Sequence, residues 1–256
     1  RKYFNDPILV RTSDGMTPTP RALELKPIVR KTVSMAEMAM QPKEKFKPTK
    51  SSRIFRIMAS DYTEVTLLPA VLNMLRTQAP GIRLDIMTPS DVSFYDVEQG
   101  KVDLIINRFD TLPQSFHQLK LWEDSFSCLV NASNPVLNHW NLNGYLSCKH
   151  VWVSKTGMGV GIGITTKDIQ HLGWVDEALR ELGRFRDIAI FTRHYQAALM
   201  FAEQEHLIVT VPSMATRAIR QNKAVVIKQP PFEIPPMRLQ MVWSPLVHHD
   251  SGHIWM

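Results

Sequence analysis

Four groups of residues in this sequence carry side chains or spacings suited to chemistry. Gly157, Gly159, Gly161 and Gly163 alternate after an apolar stretch, as in loops whose backbone N–H groups cradle phosphate. The G-x-G-x-x-G spacing of a dinucleotide loop is not met and no Lys-Ser/Thr pair follows, so the segment reads as a loop bordering a cleft. His248, His249, Asp250 and His253 hold potential metal-ligand atoms, but their spacing matches no zinc site, and a helix start capped by Asp250 accounts for them. Cys128 and Cys148 could form a redox pair, yet Cys128 falls in an apolar strand where a thiol is packing. The fourth group is Arg11, Thr12, Ser13 and Thr17 around Asp14-Gly15, a cation and hydroxyls that suit the phosphate and groove edges of DNA. Spacing brings together no triad, metal centre or carboxylate pair, so neither catalysis nor a cofactor is expected.

The elements that must position these groups follow from local pattern. Ile8–Thr12, an Asp-Gly turn and a second short strand from Met16 make a β-hairpin. Thr19-Pro20 is a helix start, with Thr as cap and Pro at the first helical position. Leu25, Ile28/Val29, Thr32, Met35/Ala36 and Ala39 then recur at three and four, one apolar stripe that wants a partner helix. Pro27 is expected to bend that helix. Residues 41–53, rich in Lys, Pro and Ser, read as a linker.

Beyond the linker the pattern alternates. A strand at Ile54–Ala59, a helix at Glu64–Ala79, a strand at Ile82–Thr88, a helix at Ser90–Gln99 and a strand at Val102–Asn107 predict a parallel sheet with helices on its faces. Strands near Phe116–Trp122 and Ser125–Val130 lead away. A second alternation runs through His150–Ser154, Val175–Leu182, Ile188–Arg193, Tyr195–Gln204, Leu207–Val211, Ser213–Gln221 and Ala224–Lys228. The Pro-rich stretch 229–236 gives the last strand, Arg238–Trp243, room to return to the first unit. Two α/β units joined by two crossings make a bilobed body, and small ligands bind between such lobes beyond the carboxyl ends of the strands.

Charge divides along the same line. The 256 residues carry a net +6, but residues 1–56 hold 13 Lys/Arg against 5 Asp/Glu while the remainder holds 17 against 19. A basic arm on a near-neutral body implies phosphate contact at one end and a different task at the other. Two cysteines make no disulfide scaffold and point to a reducing compartment, the cytoplasm. No apolar run reaches the roughly 20 residues needed to cross a bilayer, so no membrane partner is expected.

At this level of detail the sequence resembles a known family. The segment from Phe4 to Ala22, reading FNDPILVRTSDGMTPTPRA, resembles the wing and following helix start of LysR-type transcriptional regulators, in the branch of nodulation and aromatic-degradation regulators. Gln78-Ala-Pro-Gly-Ile, Gln99-Gly-Lys-Val-Asp-Leu, Val209-Thr-Val-Pro and Asp250-Ser-Gly-His-Ile-Trp follow in the family's order. The resemblance spans essentially the whole chain. It implies an α/β fold with a partial winged helix-turn-helix and a long dimerisation helix, followed by two Rossmann-like lobes of periplasmic-binding-protein type. On that reading residues 1–18 are the wing, 19–41 the dimerisation helix, 42–53 the hinge and 54–256 the effector domain, with lobe I at 54–123 and 237–256 and lobe II at 124–236. Arg1-Lys2-Tyr3 resembles the end of the recognition helix, so the first helices are expected to precede Arg1.

The resemblance also nominates residues. Lys2, Arg11, Ser13 and Thr17 fall at the DNA-facing positions. Ser60 and Asp61 after the first strand, Ser90 after the second and Arg108 after the third face the effector from one lobe. Thr156, Thr192 and His194 face it from the other. Ser60 or Ser90 could hold an anion at a helix start or simply cap it; Asp61 disfavours an acid and suits an amine. The implied partners are double-stranded promoter DNA, a small-molecule effector, a second copy as homodimer or homotetramer, and RNA polymerase. Two competing classes remain: a solute-binding protein of similar bilobed fold, which the basic hairpin and striped helix disfavour, and a small enzyme using the cleft.

Overall fold

Asp14 and Gly15 turn the chain back on itself, and Gly15 does so at φ +107°, a conformation that L side chains rarely adopt. The hairpin strands are β1 (Leu9–Thr12) and β2 (Gly15–Pro18), antiparallel with Thr12 opposite Gly15. Thr19 then caps α1 (Pro20–Met40), its Oγ1 accepting from the Ala22 N–H at 3.1 Å and donating to Asp6 at 2.7 Å. Both features were expected from local pattern. The helix runs through Pro27 and buries none of its residues; Ile28, Val29, Val33, Met35 and Met38 are all at least half exposed.

The computed structural model describes residues 2–40, 45–109, 112–153 and 173–256. Its two compact units are Arg1–Lys45, which holds the hairpin and α1, and Phe46–Met256. Among the described residues no helix is long and apolar enough to cross a membrane.

The second unit opens with β3 (Ile54–Ala59), α2 (Asp61–Thr66), α3 (Leu68–Gln78), β4 (Arg83–Met87), α4 (Phe94–Glu98) and β5 (Leu104–Asn107). The single helix expected over Glu64–Ala79 is two. Pro69 in the first turn of α3 lacks an N–H and crowds the turn before it, so the chain breaks at Leu67. Nor does the next helix start at Ser90. Ser93 caps it instead, in a reciprocal box with Asp96. Gly81 has a packing reason: a Cβ there would stand 2.6 Å from the Ser51 carbonyl oxygen.

Next come β6 (His117–Asp124) and β7 (Phe126–Asn131), then α5 (Leu142–Ser147), β8 (Lys149–Val153) and α6 (Trp174–Glu181). They are followed by β9 (Asp187–Thr192), α7 (Tyr195–Phe201), β10 (Leu207–Pro212), β11 (Val225–Lys228), β12 (Met237–Trp243) and α8 (Ser251–Trp255). Periodicity missed α5, whose six residues are under two turns and include Gly144. The segment Ser213–Ile219 is a 3-10 helix rather than the α-helix expected.

Two five-stranded mixed sheets result, ordered β4-β3-β5-β12-β6 and β11-β7-β10-β8-β9. The last strand does cross back, since β12 pairs antiparallel with β5 and β6 of the first sheet. One apolar cluster runs from Phe55, Ile57 and Tyr62 through Phe126 and Tyr195 to Val209 and Val211, so both sheets share a core. Arg53 fastens the entry to this unit. It donates to Asp103 at 2.9 Å and to Asp250, the residue that caps α8 through the His253 N–H.

Candidate functional site

Parallel strands place their carboxyl ends side by side, and here β3 and β5 lie adjacent, with Ala59 opposite Ile106. Ser60 and Asp61 leave β3, and Arg108 leaves β5, at one end of the first sheet. From the second sheet β8, β9 and β10 supply Trp152, Thr192 and Thr210, and α7 begins just after β9. The loops at these ends form the junction of the two lobes.

Asp61 links the two lobes. Its Oδ2 accepts the Gln196 backbone N–H at 3.0 Å, joining the first turn of α2 to the first turn of α7. Beside it the Tyr62 and Tyr195 rings pack with centroids 5.9 Å apart. The Tyr62 hydroxyl donates to Asp124 at 2.8 Å and accepts from the Trp122 indole at 3.2 Å, while the same Asp124 oxygen accepts the Met214 N–H at 2.9 Å. Asp124 is buried at the end of β6, where the chain crosses between sheets, so one carboxylate fixes both the crossing and α2. Burial, with Asp124 adding to it, pushes the Tyr62 phenol far above its ordinary range.

Arg108 reaches over the Trp174 ring, its guanidinium carbon 4.2 Å from the centroid, and Trp174 in turn packs against Phe126 at 5.6 Å. Such stacking helps to hold a cation in place. Phe126, Trp152, Trp174, Tyr195, Thr210 and Arg186 enclose a residual space of 20 Å³, about the room of one water. Arg186, one of these lining residues, is buried and clamped by Asp176 through two bonds of 2.7 Å. Four buried polar atoms around the junction lack a hydrogen-bond partner among the described residues: Asp61 Oδ1, Trp174 Nε1, Gln196 Nε2 and Arg186 Nη1.

The nominated residues divide. Ser60 is buried, but its hydroxyl faces Thr63 at 3.4 Å and makes no cap bond. Asp61 and Arg108 sit at the lobe junction. Ser90 is exposed and engages Thr88 and Asp91 in its own turn. Thr192 is half-buried, with its hydroxyl accepting the His194 N–H at 3.3 Å, and His194 is exposed. Thr156 and the glycine run lie outside the described residues. On the hairpin Arg11, Ser13 and Thr17 are exposed, as is Lys2, and Thr17 shares a 3.0 Å hydroxyl contact with Thr12. Sequence reasoning missed Tyr62, Asp124, Trp174 and Gln196, whose partners are remote in the chain, and Arg186, whose partner Asp176 lies ten positions away.

The other chemistry-bearing groups resolve into structure. Among the described residues no set of three or more His, Cys, Asp or Glu is placed to hold a metal ion. His248 stacks on His117 at 3.7 Å and accepts the Trp243 indole N–H at 3.2 Å. Desolvation, then the neighbouring His117, His249 and His253, lower its pKa. Both cysteines are free; burial pushes the Cys128 thiol up to about 12, which keeps it protonated and unreactive.

The comparisons with known proteins agree with this geometry. The family described as the LysR substrate binding domain matches residues 49–252. The transcriptional activator NahR of Pseudomonas putida is 28% identical over 258 residues, covering 100% of this chain and 82% of that protein. The regulator SyrM 1 of Sinorhizobium fredii is 27% identical, covering 100% and 72%. Among solved structures, a transcriptional regulator of Pseudomonas aeruginosa superposes with a TM-score of 0.71 at 26% identity, covering 100% of this chain and 83% of that one. The regulatory domain of the activator MexT from the same organism gives 0.64 at 26%, covering 79% and 96%. A hairpin-and-helix unit, a bilobed α/β unit and a family match over most of the chain lead to one conclusion: this protein belongs to the LysR family of transcription regulators.

Proposed function

We propose that the cleft between the two sheets senses a small molecule and that the hairpin unit, in the complete protein, contacts promoter DNA. The observation that carries the first half is the lobe junction itself. It has aromatic walls, two charged residues of opposite sign and buried polar atoms that the described protein leaves unpaired. This reading assigns effector binding to Ser60, Asp61, Ser90, Arg108, Thr192 and His194, and to Thr156, which lies outside the described residues. The mechanism is a ligand-biased equilibrium between arrangements of subunits, which a ligand shifts only by its difference in affinity for the two states. The site holds and releases its ligand and requires no turnover, cofactor or metal.

The domain boundaries fit this division: wing at 1–18, dimerisation helix at 19–41, hinge at 42–53, effector domain from 54. An apolar stripe left uncovered along 21 residues of α1 supports pairing with a second copy, as homodimer or homotetramer. We place the protein in the cytoplasm, with RNA polymerase as its downstream partner. Relatives named as transcriptional regulators favour this reading over a solute-binding protein.

A thermal-shift screen of small metabolites against the chain tests the sensor. A specific ligand at about 100 times its Kd adds about 2.7 kcal/mol, which at this size raises Tm by about 5–10 °C. A screen without a hit sinks the reading. For DNA, Arg11→Ala in the complete regulator is expected to weaken promoter binding and to flatten the log K against log [salt] slope by about 1, the signature of one lost phosphate contact. An unchanged slope removes Arg11 from the interface.

A further inference from the structure

Resting on the reading of the cleft as a ligand site, we infer that its ligand is recognised through an N–H donor, a primary amide or amine attached to an aromatic or other flat apolar body, and not as a simple carboxylate. Three observations lead there. Asp61 has one oxygen committed to the Gln196 N–H, while the other, Oδ1, is buried without a donor among the described residues. A carboxylate oxygen in that state calls for a donor and repels an acid. The indole Nε1 of Trp174 and the side-chain Nε2 of Gln196 are buried donors without an acceptor among the described residues. One group that donates and accepts from adjacent atoms, as an amide does, answers both demands.

The surroundings set the rest of the molecule. Burial raises the Tyr195 phenol pKa, Asp61 raises it further and Arg108 opposes it, so both charges act on the same hydroxyl. Arg108 lies over the Trp174 ring, and Trp174 lines one residual space with Tyr195, the residue before Gln196, at the end of α7 that Asp61 meets. The helix that begins at Asp61 has six residues, which leaves little dipole to attract an anion against the Asp61 charge. A ring exceeds the 20 Å³ of residual space, so its entry accompanies separation of α2 from α7. Asp61 and Gln196 then keep their chemistry, each anchored on its own helix.

Benzamide and benzoate form the test, since they share size and shape but differ in donor and charge. Affinities are measured by titration calorimetry on the full chain and on Asp61→Asn, which retains the shape and one acceptor. Benzamide is expected to bind the wild type about tenfold or more tighter than benzoate, and Asp61→Asn is expected to erase or invert that preference. Equal or tighter binding of benzoate by the wild type overturns the proposal while leaving the cleft a ligand site. An unchanged preference in Asp61→Asn does the same. Binding of neither probe also overturns it, and the metabolite screen then decides separately whether the cleft senses anything. The wild-type comparison stands even if the variant fails to fold.

Discussion

Replacing Asp176 by Ala is expected to destabilise the protein by about 3–5 kcal/mol, the usual effect of stranding one member of a buried ion pair. Arg186 is the member left behind. Its side chain is 2% exposed, and it holds Asp176 through two parallel bonds of 2.7 Å. Burial works against its charge, yet the nearby Tyr145 and Asp176 outweigh burial and raise its pKa still further. The guanidinium therefore cannot shed its proton to escape when Asp176 is removed. The double variant Asp176→Leu with Arg186→Met is expected to recover most of the loss, because two apolar groups leave no stranded charge. Urea denaturation of the single and double variants gives the comparison. Additive losses in the double variant would show that the pair is not an energetic unit.

Stability is expected to fall steeply on acidification, with His150 as a principal cause. The imidazole is buried, its Nε2–H donating to the Tyr145 carbonyl at 2.9 Å, and Nδ1 has no partner among the described residues. Burial, assisted by the Arg186 charge, lowers its pKa to about 3 from an ordinary 6.5; Asp187 and the Tyr145 carbonyl resist only in part. Above pH 6.5 the folded and unfolded forms are both neutral and His150 contributes no pH dependence. Below it the unfolded chain binds a proton that the folded chain refuses, so stability drops by about 1.4 kcal/mol per pH unit, down to the folded pKa. Between pH 6.5 and 4.5 that amounts to about 2.7 kcal/mol. His150→Gln retains a donor for the Tyr145 carbonyl without titrating. Denaturation at both pH values should show a correspondingly smaller loss in the variant, and equal losses would place the acid sensitivity elsewhere.

Much of the architecture was legible because it rests on neighbours in the chain. Asp14-Gly15 specifies the hairpin through a positive φ, Thr19-Pro20 the start of α1 through a cap and a missing N–H, and Asp250 the start of α8. The alternation of apolar runs gave both sheets their strands, including the returning β12. Where local pattern misled, a local reason exists. Pro69 split one expected helix, Ser93 outcompeted Ser90 as a cap, and α5 was too short to show a period.

The site was less legible, because its contacts join residues far apart in the chain. Asp61 meets Gln196 across 135 positions, Tyr62 meets Asp124 across 62, and Arg53 meets Asp250 across 197. Hydrophobic period reports which face of an element is buried, not which distant polar group waits beneath it. The sequence by itself determined that a basic hairpin and striped helix precede a bilobed α/β body, since charge, turn residues and periodicity are properties of short segments. Only the tertiary structure decided that Asp61 meets Gln196 across the lobe junction, that Arg108 stacks on Trp174 and that the buried Arg186 lines the same residual space as Trp174. Those pairings exist because two sheets share one core, and desolvation there makes each unpaired donor or charge consequential.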